Sequence, residues 1–521
     1  MIFQAQTRTQ SDPGRGRGRP QDIVNALRTT ALLVCAVVAP ILIFRASPAK
    51  AIWPFDNLFS RPSLEQRAAQ MLSDAIQTPT VNPPGAEERL ARKLAAALGR
   101  AGIENRVIST PSPDDGPPRA AVWGRLRGRG PSRGDERRPA LALLSHLDTV
   151  PAKAEEWSIA PFSGKIWDGF VWGRGALDAK GVAVSHLLTL IEIAASNDRL
   201  DRDLILLATP DEEEGGGLGA GWIAEHHPEL LEGVGYLLTE GGGIQKGPGV
   251  SGLEGERPPV WGVTLTEKAP CWLELRSRSR GGHSSAPTPD AAVPKLIAAL
   301  DRIRRAESAI HVSDEVAQMF AALAVIAPEW DRPGFENLAD ALDENDAFRR
   351  RFLDNPSQSA LVRNTVSITV LEGASKTNVA PAIARAQLDA RLLPGERCGA
   401  FKAAIEALID EPSIEIEEIL SFSSRASPAD TPLYRAIESL AARQEPAGLV
   451  VPRTISGFTD AHWFRELGIV SYGFVPRALA AEESRRVHGI DERIAIDTLV
   501  HSIELTIELV RTFDELESSG H

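Results

Sequence analysis

The sequence predicts an α/β protein: a mixed, mostly parallel sheet flanked by helices, interrupted in the chain by a smaller α+β layer. Three observations predict it. Short, wholly apolar runs at 140–144, 204–208 and 469–474 have strand length and no polar alternation, as strands buried on both faces do. Each run hands on to a glycine-rich, acidic or histidine-bearing turn, and apolar helical stretches at 182–195 and 496–513 accompany them, the layout in which sites gather beyond the carboxyl ends of strands. Between these runs the pattern changes to strand 272–278, helix 289–305, strands 366–370 and 384–392, helix 399–408 and strand 414–419, which reads as a separate α+β layer.

At 521 residues the chain exceeds what one hydrophobic core usually serves, so two domains are expected. A net charge of −13, which no acidic or basic tail accounts for, disfavours a nucleic-acid role. Of the three cysteines, Cys35 lies in an N-terminal apolar run, and sequence position does not decide whether Cys271 and Cys398 pair. Arg8, Arg15, Arg17, Arg19 and Arg28 precede the apolar run at 30–44, and Ala49-Lys50-Ala51 is a small-x-small cleavage pattern. The run is short of the roughly 20 residues of a spanning helix. The reading is an export signal cut after Ala51, with an uncleaved membrane anchor as the alternative; either puts the rest of the chain outside the cytoplasm, periplasmic or secreted.

Ser63 with Gln66 forms a capping box for a helix to Ile76, and a second helix follows at 86–98 after a loop at 79–85. The arginines among glycines and prolines at 124–139 read as a solvated connection. In Ser145-His146-Leu147-Asp148 the alternation by two puts His146 and Asp148 on one side of a strand end, where a carboxylate orients a metal-binding imidazole. Asp178, ahead of the 182–195 helix, is either a helix N-cap or a ligand. Asp211, Glu212, Glu213 and Glu214 are four adjacent carboxylates whose repulsion bound cations would relieve; the rival is a solvated acidic turn. The glycines at 215–221 and Gly173-x-Gly175 lack the partners of phosphate loops and instead let backbone pass close to ligands. Glu240 heads a run of three glycines, His283 follows two glycines, and His488 sits in a late loop, whereas His226 and His227 fall on an exposed helix.

This order of motifs resembles the zinc-dependent aminoacylase and carboxypeptidase S family of metallopeptidases, and within it the carboxypeptidase S and N-fatty-acyl-amino-acid hydrolase/synthase branch, over almost the whole chain after the leader. The resemblance implies a leader at 1–51, a catalytic domain in two parts at 52–260 and 424–521, and a ferredoxin-like lid and dimerisation domain at 261–423, with residues 306–362 as extra helical material inside the lid. It implies that His146 and Glu213 bind one zinc, that Glu240 and His488 bind a second and that Asp178 bridges them. Glu212 would be the general base and Asp148 the partner of His146. His283 would reach the site of a partner subunit and stabilise charge on the carbonyl oxygen. Asn378 and Arg391 would hold substrate, Arg391 clasping a free carboxylate. Imidazole and carboxylate donors suit two zinc ions per chain, though Co or Mn fit as well. His462 stands where relatives often carry an arginine, which leaves the detailed substrate open.

The expected activity is hydrolysis of the amide next to a free carboxylate, at the C-terminal residue of a small peptide or, alternatively, in an N-acyl amino acid, the fatty-acyl kind included. The rivals are a non-enzymatic binding protein on the same fold, which would have lost ligands, and a nucleotide-binding enzyme.

Overall fold

The computed structural model describes residues 62–113, 116–130, 138–196, 199–246 and 258–516. The expected leader at 1–51, with its apolar run and Cys35, lies outside the described residues, as does part of the arginine-rich connection. Among the described residues no helix is long and apolar enough to cross a membrane.

Ser63 and Gln66 close the expected capping box through two bonds of 3.1 Å and start the helix Leu64–Ile76. The large sheet has eight strands in the order Glu104–Thr110, Arg119–Leu126, Leu204–Thr209, Ala140–His146, Val234–Gln245, Val470–Leu479, Val260–Glu267 and Leu449–Ile455. Its centre is parallel, and the Glu104–Thr110 side is antiparallel. The wholly apolar runs have a simple cause. Leu141 and Leu143 enter a core with the helices Lys180–Ala195 and Ile496–Leu516, while Ala142 and Leu144 enter a second core with Ile223, Leu230 and Phe464 on the opposite face.

The lid is a four-stranded antiparallel sheet in the order Thr365–Glu372, Ile383–Leu392, Ala269–Arg278, Ile414–Ser421. Helices Ala292–Arg305 and Cys398–Ile409 cover one face. Two expectations change. The strand Val260–Glu267, expected within the lid, belongs to the large sheet, so the lid's own sheet begins at Ala269. The 306–362 insertion is helical, but it is not lid material: Val316, Phe320, Phe335, Phe348 and Phe352 form their own apolar cluster against Val260 and Val451 of the large sheet's edge. Lys268 fastens it there, its Nζ donating to Ala360 O at 2.9 Å and Arg363 O at 2.8 Å.

Cys271 and Cys398, left undecided by sequence, form a disulfide between a lid strand and a lid helix, 127 residues apart. Cys271→Ser together with Cys398→Ser should lower the unfolding free energy by about 2–5 kcal/mol, read as a lower denaturant midpoint under non-reducing conditions. An unchanged midpoint would mean that the two sulfurs are not bonded in solution.

Candidate metal centre and cleft

Five elements deliver side chains to one place at the carboxyl end of the central strands. His146 is the last residue of its strand and is buried. Its Nε2 lies 2.9 Å from Asp178 Oδ1 and 3.3 Å from Glu240 Oε1. His488, in a loop with φ 59°, places Nε2 3.1 Å from Asp178 Oδ2 and 3.2 Å from Glu213 Oε2. Each oxygen of Asp178 thus faces one imidazole, and each imidazole has its own glutamate. Asp178 makes no helix cap; the N-cap position of Lys180–Ala195 is Ala179, without a side-chain bond, so the bland alternative for Asp178 fails.

The expected pairing of glutamates is reversed. Glu240 lies on the strand hydrogen-bonded to that of His146 and so lands beside it, whereas Glu213 leaves the turn after Leu204–Thr209 towards His488. Glu213 also offers an oxygen within 4.8 Å of the His146 and Asp178 ligand atoms, but its short contact is to His488.

The acidic run separates into four roles. Asp211, at φ 81°, turns inward to a buried network in which it accepts from Arg119 Nη1 at 2.8 Å and from Leu218 N at 2.7 Å. Arg119 also donates to both oxygens of Glu87, at 3.0 and 2.9 Å. Glu212 and Glu213 line the cleft, whereas Glu214 does not and is exposed. Asp148 holds this turn as well as His146: it stands 3.3 Å from His146 Nδ1 and accepts from the N–H groups of Glu212 at 3.2 Å and Glu213 at 3.1 Å. Asn82, in the loop at 79–85, donates to Asp148 at 2.9 Å. Glu492, fully buried, accepts from Leu177 N at 2.7 Å, Asp178 N at 3.2 Å and Arg174 Nη1 at 2.6 Å, which ties the His488 loop to the Asp178 turn. Gly216, at φ 71°, lies against Asp460 Oδ1, where a Cβ would collide. Asp460 accepts from Thr209 Oγ1 at 2.8 Å.

Sequence reasoning missed the Glu87–Arg119–Asp211 network, Asn82 and the anchoring role of Glu492, because each depends on tertiary contacts that no motif spacing encodes. Arg119→Met should leave two buried carboxylates without their cation and cost about 3–5 kcal/mol of stability; an unaltered urea midpoint would count against the network.

The electrostatics follow from crowding charge at one end of the sheet. Burial raises the Glu212 carboxyl well above the ordinary range, and Glu240, Asp460 and Glu213 add to this while His146 opposes it. Hydrogen bonds to Asp178 and Glu213 push His488 up to about 10. Burial works against protonation of His146, yet Glu240, Asp148 and Asp178 together raise it well above the usual histidine value. Protons on two imidazoles thus offset a nest of carboxylates, a task that divalent cations would take over. The donor set fits such ions: two imidazoles and carboxylates without thiolate, with Glu213 Oε1 buried and unpartnered.

The centre opens into a cleft of about 580 Å³, walled by Trp272, Phe458, Arg391, Arg453, Arg477 and Val475. Arg391 reaches it, but Asp389 takes its Nε at 2.7 Å and Nη2 at 3.1 Å, leaving Nη1 without a partner. His283 and Asn378 are brought together elsewhere, on an exposed lid loop where Ser284 N donates to Asn378 O at 3.3 Å. His462 is buried and stacks on Phe422 with ring centroids 3.5 Å apart, so it packs rather than replacing a carboxylate-binding arginine.

Buried carboxylates and two imidazoles at the carboxyl end of a mixed sheet, opening on a cleft beneath an inserted lid, define a metal-dependent hydrolase. Residues 142–512 match Peptidase family M20/M25/M40, and the chain belongs to this family of metallopeptidases and amidohydrolases. It is 29% identical over 386 residues to an N-fatty-acyl-amino acid synthase/hydrolase, PM20D1, of Xenopus tropicalis, covering 71% of this chain and 72% of that one. It is 25% identical to a probable carboxypeptidase S-like 2 of Dictyostelium discoideum, covering 73% of each. Among solved structures, the metallo-carboxypeptidase Sso-CP2 of Sulfolobus solfataricus shares the fold with a TM-score of 0.64 at 18% identity, covering 86% of this chain and 99% of that one.

Proposed function

We propose that the protein is a dinuclear zinc amidohydrolase that cleaves the amide next to a free carboxylate, releasing the C-terminal residue of a small peptide. The observation that carries this reading is Asp178, whose two oxygens face two imidazoles, each with its own glutamate. His146, Asp178 and Glu240 would hold one ion, and His488, Asp178 and Glu213 the other; such ions supply an acidified water and a Lewis acid for the carbonyl. Glu212 stands beside them, its Oε2 4.0 Å from His146 Nε2, and takes the proton of the attacking water and returns it to the leaving nitrogen. Arg391 keeps one donor, Nη1, free for a carboxylate. A second reading, N-acyl amino acids as substrates, is favoured by the similarity to the N-fatty-acyl-amino acid hydrolase. That substrate class also carries a free carboxylate beside the scissile amide.

The same proposal includes a homodimer through the lid and export from the cytoplasm. The lid exposes Ile368, Leu371, Val379 and Ile383, an apolar set suited to burial against a second copy. The Cys271–Cys398 disulfide suits an oxidising compartment.

The purified protein should carry about two zinc equivalents, lose activity to a chelator and regain it with Zn or Co; full activity after exhaustive chelation would sink the reading. His488 supplies a sharper check. A ligand must be neutral, but the metal-free folded chain holds this proton up to about pH 10, above the ordinary histidine value of 6.5. Zinc must therefore displace it at neutral pH, and binding tightens as pH rises towards 10. Calorimetry in buffers of different ionisation heat should show net proton release; none at neutral pH would remove His488 from the ligand set.

A further inference from the structure

We propose that the apolar pocket walled by the 306–362 insertion receives the side chain of the residue that bears the substrate's free carboxylate, and that Arg453 anchors that carboxylate. The inference rests on the amidohydrolase reading and gives it a substrate class: amides of amino acids with large apolar side chains.

Arg453 lies on the edge strand Leu449–Ile455, and its side chain crosses Gly262 of the neighbouring strand, where a Cβ would collide with Arg453 Cδ and stand 3.2 Å from Nη1. The sheet has thus left space for this side chain. Among the described residues it has neither an ion-pair nor a hydrogen-bond partner, and burial alone lowers its pKa. Arg453 is partly exposed, and a cation withdrawn from most of the solvent without an anion is costly; a ligand carboxylate would relieve that cost. Arg391, paired with Asp389, keeps only Nη1 for the same carboxylate, so Arg453 supplies the uncompensated charge that anchors it.

Arg453 borders two spaces at once. One is the catalytic cleft; the other is a pocket of about 260 Å³ lined by Met319, Phe320, Phe335 and Leu361, and Ile455 and Gly457 belong to both walls. In an amide of the form R′–CO–NH–CH(R)–COO⁻ the side chain R and the carboxylate sit on the same carbon. A cation in the shared wall therefore reads the carboxylate where the apolar pocket reads R, with the amide directed back to the metal centre.

The test uses the zinc-loaded full chain with N-acetyl-L-phenylalanine and N-acetyl-L-alanine. The wild type should prefer the first by at least roughly 10-fold in kcat/KM. Phe320→Trp and Ser357→Trp both fill the pocket, the second from an exposed rim position that spares the core. Each should bring the preference close to unity by lowering only the phenylalanine rate. Arg453→Met should cost at least roughly 30-fold in kcat/KM for both substrates, mainly through KM. It should also abolish calorimetric binding of N-acetyl-L-phenylalanine to the Glu212→Gln protein, with the thermal midpoint retained. Equal rates for the two substrates in the wild type, a preference that survives Ser357→Trp, or undiminished binding after Arg453→Met would each overturn the proposal. Hydrolysis of neither substrate, nor of any dipeptide, would instead remove the amidohydrolase reading on which it rests.

Discussion

Glu212→Gln should lower kcat by at least roughly 10²-fold and leave the zinc content unchanged. The amide keeps the shape of the carboxylate but cannot accept a proton, so only chemistry is lost. The Glu212 oxygen stands within 4.8 Å of the His146 and Glu240 ligand atoms but farther from His146 Nε2, at 4.0 Å, than Asp178 and Glu240 at 2.9 and 3.3 Å. Its backbone N–H is held by Asp148, which fixes where the carboxylate points. Burial in a carboxylate-rich site raises its proton affinity well above that of an ordinary glutamate. Glu213→Gln should behave differently and lose metal, because Glu213 is in contact with His488. Parallel kcat and metal measurements on both variants decide the matter. If the Glu212 variant loses zinc and the Glu213 variant keeps it, the two roles are exchanged; if neither change matters, the acidic run is a solvated turn.

How much of this was legible in the sequence differs by level. The strands were readable because the central sheet is covered on both faces, so that Leu141 and Ala142 serve different cores and the run carries no polar residue. The residues of the centre were readable because each chemical type stands at a strand end or in a glycine-rich turn. Their pairing was not, since it depends on strand order: Glu240 meets His146 only because Val234–Gln245 and Ala140–His146 are neighbours, and that adjacency has no local sequence signature. The insertion failed for a related reason. Its apolar residues announce a core without saying against what, and the answer, Val260 and Val451, lies on strands placed at the sheet edge by tertiary pairing. Arg453 escaped notice entirely, because an arginine in a strand is ordinary until its lack of an acidic partner is seen in three dimensions.

The second large effect concerns assembly. In the single chain His283 is exposed and stays with Asn378 on the lid, outside the cleft that holds Glu212. Its Nδ1 lies 2.7 Å from Ser285 Oγ, which orients the ring with Nε2 left to act. The proposed role in trans therefore makes each active site a composite of Glu212 from one chain and His283 from the other. His283→Ala and Glu212→Gln homodimers should both be nearly inactive. A mixed dimer, however, contains one site with both defects and one with neither. Random exchange of equal amounts puts half of the molecules in that state, so recovery should approach about a quarter of wild-type activity, as two-fold symmetry requires. The measurement is specific activity before and after mixing under conditions that permit subunit exchange, with heterodimers verified by differential tagging. Verified heterodimers without recovery would show that His283 does not complete a partner's site, and the exposed apolar residues of the lid would then need another explanation.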